Sequence, residues 1–402
     1  MAEFLLDKTS WVPAQLKDLA EEISERVDNP SKSGHDRFVG LDNFVSGDLK
    51  IKNWSDTENL VSSAKAFKAE DILFARRNAY LRRASLVDFD GICSGDAFVL
   101  RENHKHIIPG FLTFILNSNK LWDFANANAA GTMSKRVKWR DLGNFQLLLP
   151  PKDQQVKLAE LLWAGDKVLS TYDNMLASLE SLKITFLSSQ INPTVSKENL
   201  QYSPLGYISK DWRLVPIEDL AEVNYGISEA VASNKDPRIG CPIITGSNIT
   251  LEGALSTQNI VYYPLPEKAE FRLQHGDLLF NWRSGSPAHV GKTAYFDLNG
   301  DYTFASFLLR IRTKEELLPR FGFYLLNYLR KTGYFMTEMS QQINFKMNAN
   351  IFRQLVIPIP SVEQQRIITK KLEQISDIHE HYQQIKSTFQ KIQSLVINKI
   401  FD

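Results

Sequence analysis

The stretch LPPKDQQVKLAELL at residues 149–162 returns 210 positions later as IPSVEQQRIITKKL at residues 359–372. Each stretch joins an apolar run and a proline to a pair of glutamines and then to a helical pattern. The aligned positions are Pro150 with Pro360, Gln154 with Gln364, and Gln155 with Gln365. A repeat this long exceeds any solenoid unit, so it predicts a whole domain duplicated together with the helix that follows it.

Weaker echoes of the same repeat lie upstream. The matching segments are EDILFARR (70–77) with GDLLFNWR (276–283), AFVLR (97–101) with SFLLR (306–310), and DLAEE (18–22) with DLAEV (219–223). The offset drifts from 201 to 210, as loops of different length would cause. We therefore expect two copies of one plan that differ in their loops.

The first part of each copy reads as a mixed α/β (α+β) globular domain. Strand-like runs such as DILFA and FLLRI alternate with Gly, Asn, Asp and Pro, and helical patterns lie between them. We place the first domain at 1–150 and the second at 211–360. The segment 192–210 between them is polar and rich in turn residues, which predicts a surface linker.

A long helix closes each copy, at 151–191 and at 361–402. Both follow a proline, a usual signal for a helix start, and Ser361 with Gln364 has capping-box spacing. About 38 residues span roughly 57 Å, too long for one 150-residue domain. Apolar side chains recur at alternating steps of three and four, the period of a coiled coil. The predicted seam is Gly165, Val168, Tyr172, Met175, Leu179, Leu182 and Phe186 with Ile375, Ile378, Tyr382, Ile385, Phe389, Ile392 and Val396.

This pattern predicts an antiparallel coiled coil with one domain at each end, a dumbbell with pseudo-two-fold symmetry. Two similar heads at a fixed distance suit a partner with two sites at fixed spacing, and duplex DNA is such a partner. Because the heads differ in sequence, the two half-sites should differ as well.

Composition is that of an ordinary globular protein. The 402 residues are 43% hydrophobic and 23% charged, and the net charge is only +1. No apolar run approaches a membrane span, and MAEFLLDKTS at the start lacks signal-peptide character. The two cysteines form no metal pattern and suggest a reducing cytosol. Any nucleic-acid interface must therefore come from local patches.

Such patches occur in equivalent loops. Residues 65–83 hold six Lys or Arg against two acids, and residues 131–141 hold four against one. Arg and Lys pair with guanine, Asn and Gln pair with adenine, and cations bind phosphates. The predicted DNA-contacting residues of the first copy are Arg76, Arg77, Asn78, Arg82, Arg83, Lys135, Arg136 and Lys138. Those of the second copy are Asn281, Arg283, Ser284, Lys292, Gln341, Gln342, Asn344 and Lys346. Lys292 falls opposite Arg83, just before matching strands.

GSPAHVGKT at 285–293 offers a rival reading as a phosphate-binding loop. Its end matches G-x-x-x-x-G-K-[ST], but Ser286 stands where the first glycine belongs. Strand-like residues follow where the motif requires a helix. Despite these departures, a nucleotide hydrolase is kept as an alternative of a different class. A coiled-coil scaffold without DNA contact is another. We find no catalytic set and no metal-ligand spacing.

Taken together, the chain resembles the specificity subunits of type I restriction–modification systems. The likeness rests on the duplicated plan, on GDLLFNWRSGSPAHVGKTAYF with its weaker partner EDILFARRNAYLRRASLVDF, and on the two strand–proline–glutamine junctions. The first copy departs from it by having Arg82 and Arg83 where the second has Gly291 and Lys292.

The resemblance implies two target recognition domains, each reading half of a split asymmetric site, and helices that set the gap. The chain itself would have no catalytic activity and no cofactor. It would recruit two methyltransferase subunits, which use S-adenosylmethionine, and restriction subunits, which depend on ATP and Mg²⁺. Lys167, Lys370 and Lys371 are candidates for docking them. The location would be the bacterial or archaeal cytoplasm. A related type II system remains a close alternative.

Overall fold

The computed structural model describes residues 6–193, 197–228, 236–339 and 347–402. The chain divides into two compact units, residues 1–174 with 382–402, and residues 175–381. Both boundaries fall inside the long helices. Each unit therefore contains one globular domain, the half of a long helix that adjoins it in sequence, and half of the other long helix.

The first unit is built on two four-stranded sheets. Its strands are β1 (Val12–Gln15), β2 (Ala20–Ile23), β3 (Arg26–Val27), β4 (Phe38–Val39), β5 (Ala64–Phe67), β6 (Ile72–Ala75), β7 (Ala84–Leu86), β8 (Gly91–Ser94), β9 (Ala97–Glu102) and β10 (Gln146–Leu149). Its helices are α1 (Leu16–Leu19), α2 (Leu112–Leu116), α3 (Asn119–Ala127), α4 (Trp139–Leu142) and the start of α5 (Lys152–Ile191). One sheet has the antiparallel order β2-β9-β6-β7, and the other has the order β3-β5-β8-β4.

Alternation along the central strands gives this unit a core on each side of the first sheet. Phe74 and Phe98 face the helices, and Phe74 stacks on Trp122 at 4.7 Å between ring centroids. Leu73 and Val99 face the opposite core. Successive side chains of a strand point to opposite faces, so a short apolar run such as DILFA fills both cores.

The second unit repeats this plan. Its strands are β11 (Leu200–Ser203), β12 (Gly206–Ser209), β13 (Arg213–Pro216), β14 (Ala221–Tyr225), β15 (Cys241–Ile244), β16 (Val261–Tyr263), β17 (Leu278–Asn281), β18 (Thr293–Tyr295), β19 (Thr303–Phe304), β20 (Leu308–Thr313) and β21 (Val356–Ile359). Its helices are α6 (Ile217–Leu220), α7 (Pro319–Lys331), α8 (Tyr334–Met339), α9 (Ala349–Gln354) and the start of α10 (Val362–Phe401). The order β14-β20-β17-β18 matches β2-β9-β6-β7.

Strand register corrects one predicted alignment. Ile72 pairs with Leu100, and its counterpart Leu278 pairs with Ile311. The run AFVLR therefore matches LLRIR (308–312), which begins two residues after the predicted match SFLLR. Since a shift of two keeps every side chain on its own face, the hydrophobic pattern alone cannot detect the error.

Corrected in this way, the repeat extends to an ion pair with a buried carboxylate. Arg101 donates two hydrogen bonds of 2.8 Å to Asp71, and Arg312 donates two of 2.8 Å to Asp277. Both carboxylates are almost fully buried. The matched runs DILF and DLLF thus begin with an acid that fixes the end of the neighbouring central strand.

The repeated glutamines fasten each long helix to its domain. The Gln155 amide donates to the carbonyls of Pro150 and His106, and its oxygen accepts from the backbone N–H of Ile108. Gln365 makes the equivalent three bonds to Pro360, Glu316 and Leu318. Both glutamines are completely buried, which explains why the junction recurs so clearly in the sequence.

The bounds of α5 and α10 agree with the predicted helices within two residues at each end. In the first unit, Gln393 lies beside Leu162 and Tyr172 faces Tyr382, with 6.0 Å between ring centroids. The partner number falls as the residue number rises, so the helices run antiparallel there. In the second unit, Glu180 lies beside His379 and Phe186 lies under Lys371, which gives the same direction.

The predicted seam is right at most turns and wrong at four positions. Gly165, Tyr172, Met175, Leu179, Phe186, Ile375, Tyr382, Ile385, Phe389 and Val396 are partly buried. Val168, Leu182, Ile378 and Ile392 are 40–50% exposed. Polar residues such as Gln393, which is 8% exposed, turn inward instead. At these turns the next residue along the helix lies in the interface, as Leu169 does after Val168 and Gln393 after Ile392.

The predicted linker 192–210 contains more structure than expected. Strands β11 and β12 form an antiparallel hairpin within it. Ile208 on β12 is completely buried and belongs to the core of the second unit together with Trp212. Its polar composition concealed this inward side chain.

Across the part of the chain that the structure describes, no helix is long and apolar enough to cross a membrane. Within the same residues, no cluster of His, Cys, Asp and Glu has metal-binding geometry.

Candidate nucleic-acid interface

In the first unit, two predicted basic segments come together. The backbone N–H of Asn78 donates to Lys135 O at 2.9 Å, and that of Val137 donates to Arg76 O at 3.0 Å. The loop after β6 and the loop before α4 therefore form one surface. Lys135 and Lys138 are exposed on it.

One carboxylate organises the arginines of this surface. Asp96 accepts bonds of 2.7 and 3.0 Å from Arg136, and Arg77 and Arg76 approach it to 3.6 and 3.8 Å. Hydrogen bonds from Arg136 lower the pKa of Asp96, against the opposing effect of its burial. Three cations around one acid leave a local charge of +2, held on side chains that stay 32–43% exposed.

The turn between Asn78 and Arg82 is held in an unusual conformation. Both residues have left-handed backbones, with φ of 55° and 51°. Such strain tends to occur at functional sites. The turn presents Tyr80, 65% exposed, and Leu81, 38% exposed. Arg82 donates to Asn119 at 2.6 Å, so this cation is partly committed to α3.

In the second unit, the equivalent surface is aromatic. The Arg283 guanidinium lies 5.0 Å from the ring centroid of Phe307. Trp282 contacts the rings of Phe307 and Tyr225 and donates from Nε1 to Ser306 O at 2.6 Å. Arg283 is exposed and Ser284 partly exposed, so both remain available to a partner.

Lys292 and Arg83 require a correction. Lys292 is 4% exposed, and its ammonium donates to Gly246 O at 2.9 Å and to Ile249 O at 2.7 Å. Arg83 donates to Leu41 O at 2.9 Å. Leu41 and Gly246 each begin a 3₁₀ turn after an equivalent strand. The predicted correspondence is therefore confirmed, and both side chains hold a turn. The burial of Lys292 contradicts its predicted contact with DNA, whereas Arg83 is only partly buried.

Burial acts on both cations in the same way. It lowers the pKa of Lys292 and that of Arg83 from their ordinary values. A buried cation is tolerated because carbonyl oxygens replace its water. The Lys292 ammonium cannot reach a duplex without giving up these bonds.

Asn281 also lies inside the second unit, at 3% exposure. Its amide donates to His289 O at 2.9 Å, and its backbone pairs with Lys292. The prediction that Asn281 contacts DNA is replaced by a structural role in closing the loop. The alternation of β17 turns this side chain inward.

The same loop has none of the geometry of a phosphate-binding loop. A 3₁₀ turn, Pro287–His289, precedes the short strand β18, and no helix begins there. Gly291 has φ +83°, and a Cβ at this position would lie 2.7 Å from the Phe335 ring. Close packing and a left-handed turn account for the glycine, and the lysine ammonium is already occupied.

Four predicted contacts cannot be placed. Gln341, Gln342, Asn344 and Lys346 lie outside the described residues. Two residues of these surfaces, Asp96 and Phe307, were not anticipated. The sequence feature that could have identified them is their position, since each residue stands immediately before a central strand that recurs in both units.

Two α/β domains with unlike cationic loops, each followed by a long helix, define a duplicated recognition protein. The family model of the type I restriction modification DNA specificity domain matches residues 8–181 and 209–388. The chain belongs to this family and carries the domain twice.

Similar proteins agree. The chain assigned as the MjaX type I specificity subunit of Methanocaldococcus jannaschii is 22% identical, over 96% of this chain and 92% of its own. The EcoKI specificity subunit of Escherichia coli is 23% identical, over 79% and 70%. A solved chain from work on complex assembly and conformational transition of the type I R-M system is 22% identical. It covers 98% of both chains with a TM-score of 0.54, a likeness of fold.

Proposed function

We propose that this chain is the DNA-recognition subunit of a type I restriction–modification complex, and that each unit reads one half of a split, asymmetric sequence. The observation that carries the proposal is the pair of equivalent loops with unlike chemistry. One offers Arg76 and Arg77 around a carboxylate, and the other offers Trp282 and Arg283 around a phenyl ring. Base contacts from side chains specify sequence, so different side chains at one place favour different half-sites.

The long helices would set the distance between the two half-sites. Contacts within each unit support a stable antiparallel pair, since polar residues in the interface are matched. Asp173 of α5 accepts from Lys386 of α10 in the first unit, and Glu180 of α5 lies 3.6 Å from His379 of α10 in the second. A spacer of this kind fixes a gap only if neither helix slips along the other.

We further propose that the helices recruit two copies of a methyltransferase subunit. The supporting observation is a duplicated set of exposed apolar side chains, Val168 with Ile378 and Leu182 with Ile392. Each pair occupies equivalent positions of the two repeats, which suits two copies of one partner. Lys371 already lies 5.6 Å from the Phe186 ring, so Lys167 and Lys370 remain the better candidates for flanking contacts.

In this account the chain performs no chemistry. Methyltransferase subunits would supply S-adenosylmethionine chemistry, and restriction subunits would supply ATP- and Mg²⁺-dependent cleavage. A related type II system is the second candidate, because cleavage would belong to another polypeptide in either case.

Co-expression with the neighbouring methyltransferase, followed by genome-wide mapping of methyladenine, tests the proposal. We expect a two-part motif with a constant gap. Arg283→Ala should relax one position of one half-site, at a cost of about 1–3 kcal/mol. Arg213→Ala, an exposed arginine paired with Glu316, is the control and should leave the motif intact. A continuous motif, or no sequence preference, would contradict the proposal.

A further inference from the structure

One position under the two cationic loops is equivalent in both units and chemically different. Asp96 immediately precedes β9, and Phe307 immediately precedes β20. The backbone N–H of Arg76 donates to Asp96 O at 3.0 Å, and that of Trp282 donates to Phe307 O at 3.2 Å. Both side chains thus start from the same corner of the sheet, below the loop that follows β6 or β17.

Asp96 commits one arginine fully. Nε and Nη2 of Arg136 both bond to it, at 2.7 and 3.0 Å, which uses one whole edge of that guanidinium. The remaining Nη1 faces Ser134 O at 3.5 Å. Arg77 stands further off, at 3.6 Å from the carboxylate, and its side chain is 40% exposed. Arg77 Nη2 donates a single bond of 3.0 Å to Ser134 Oγ. Arg136 is therefore held by two bonds to one carboxylate, whereas Arg77 is held less tightly and keeps part of its guanidinium for a partner.

Phe307 leaves its arginine uncommitted. A ring face attracts a guanidinium without accepting its in-plane N–H bonds. Arg283 sits over this ring at 5.0 Å, and Phe307 itself is 49% exposed. All donors along the guanidinium edge can then face outward. Arg77 and Arg283 occupy equivalent positions, five residues after the matched Ile72 and Leu278.

We propose that the residue before the central strand is a positioning residue that decides which loop arginine is free to read a base. Asp96 holds Arg136 in place and orients Arg77 towards the base. Phe307 orients Arg283 so that the edge of its guanidinium faces the base. This inference rests on the proposed function, since it concerns how each half-site is read. Guanine is the expected partner, because a free guanidinium fork matches its O6 and N7 acceptors.

The Asp96→Asn variant separates positioning from simple stabilisation. It removes the anchor and raises the local charge by one. We expect the complex with methyltransferase to bind non-cognate DNA several-fold more tightly, with a steeper salt dependence. Discrimination at one base pair of the first half-site should fall about five- to hundredfold. A role in folding alone would weaken all binding together.

Phe307 offers the reciprocal experiment in the second unit. Phe307→Asp should draw Arg283 into an ion pair and relax one base pair of the second half-site, leaving the first half unchanged. Phe307→Tyr retains the ring and should read the original motif. Thermal unfolding of each variant confirms that it is folded.

The outcomes are separable by the methyladenine map. If the wild-type complex gives a two-part motif and both anchor variants keep it base for base, the positioning role is wrong and the proposed function stands. If Asp96→Asn and Phe307→Asp change the same half-site, the assignment of one positioning residue to each half-site is wrong. If the wild-type complex shows no two-part motif, the proposed function itself fails.

Discussion

A buried ammonium shows what a single cation does in the second unit. Lys292 bonds two carbonyls of the segment after β15, and Arg83 bonds the matching turn in the first unit. Lys292→Met should destabilise the second unit by about 1–3 kcal/mol, because two buried carbonyls lose a charged donor. Chemical denaturation measures this.

The exposed Lys268→Met variant is the matched control and should be neutral. A Lys292→Met protein of unchanged stability and greatly reduced DNA affinity would restore the DNA contact that the sequence suggested.

The sequence located these residues but not their direction. Repeat alignment placed Lys292 opposite Arg83 correctly, and composition marked both loops as cationic. Whether a loop cation points to solvent depends on which carbonyls lie behind it, and the acceptors Leu41 and Gly246 are distant in sequence. Asp96 was missed because the search was for cations, and such a search does not detect the acid that orients them.

At the scale of elements, the ends of the long helices complete the cores. Ile397, Ile400 and Phe401 of α10 are buried in the core of the first unit. Ile400→Ala should lower the free energy of unfolding by about 2–5 kcal/mol, because it leaves a cavity. Leu395→Ala, at a site that is 67% exposed, should cost little. Equal effects of the two variants in denaturation would show that the helix end does not pack on this core.

An ion cluster in the second unit predicts a pH dependence. Burial would raise the pKa of Glu180, but hydrogen bonds from Lys183 and Lys331, at 2.6 and 2.5 Å, outweigh it and lower the pKa to about 2. The folded-state pKa lies below the ordinary value of 4.5, so the carboxylate stabilises fully above that pH and progressively less as the pH falls towards 2.

Glu180→Gln should therefore cost about 1–3 kcal/mol at pH 7, and the difference from wild type should vanish near pH 2. Denaturation across this range measures the difference. Glu363→Gln, at an exposed site on α10, is the control. A deficit that stays constant down to pH 2 would exclude the carboxylate charge as its cause.

Both long helices could be predicted from their proline starts and apolar period, to within two residues. The facing residues could not, because the interface accepts polar side chains once they are paired. Gln393 and Glu180 are such cases, and no apolar pattern reveals them. Hairpin β11–β12 escaped prediction for a related reason, since Ile208, its completely buried apolar side chain, is too weak a signal.

For the whole molecule, a net charge of +1 gives no hint of a nucleic-acid partner. Duplication provides that hint, because the same loops recur in both units with different side chains. Strand order and register needed the structure, as a displacement of two residues leaves the apolar pattern unchanged. The target sequence depends on which side chain meets which base, and loop geometry decides that.

The central claim is that paired helices hold two unlike readers at a set distance along DNA. Seven residues added to each helix beside Tyr172 and Tyr382 would keep the seam in phase and lengthen the pair by about 10 Å, roughly three base pairs. The same insertion in one helix alone is the control and should abolish methylation. Mapping methyladenine with the doubly extended chain should return both original half-sites, separated by about three more base pairs. An unchanged gap, or altered half-sites, would contradict the account.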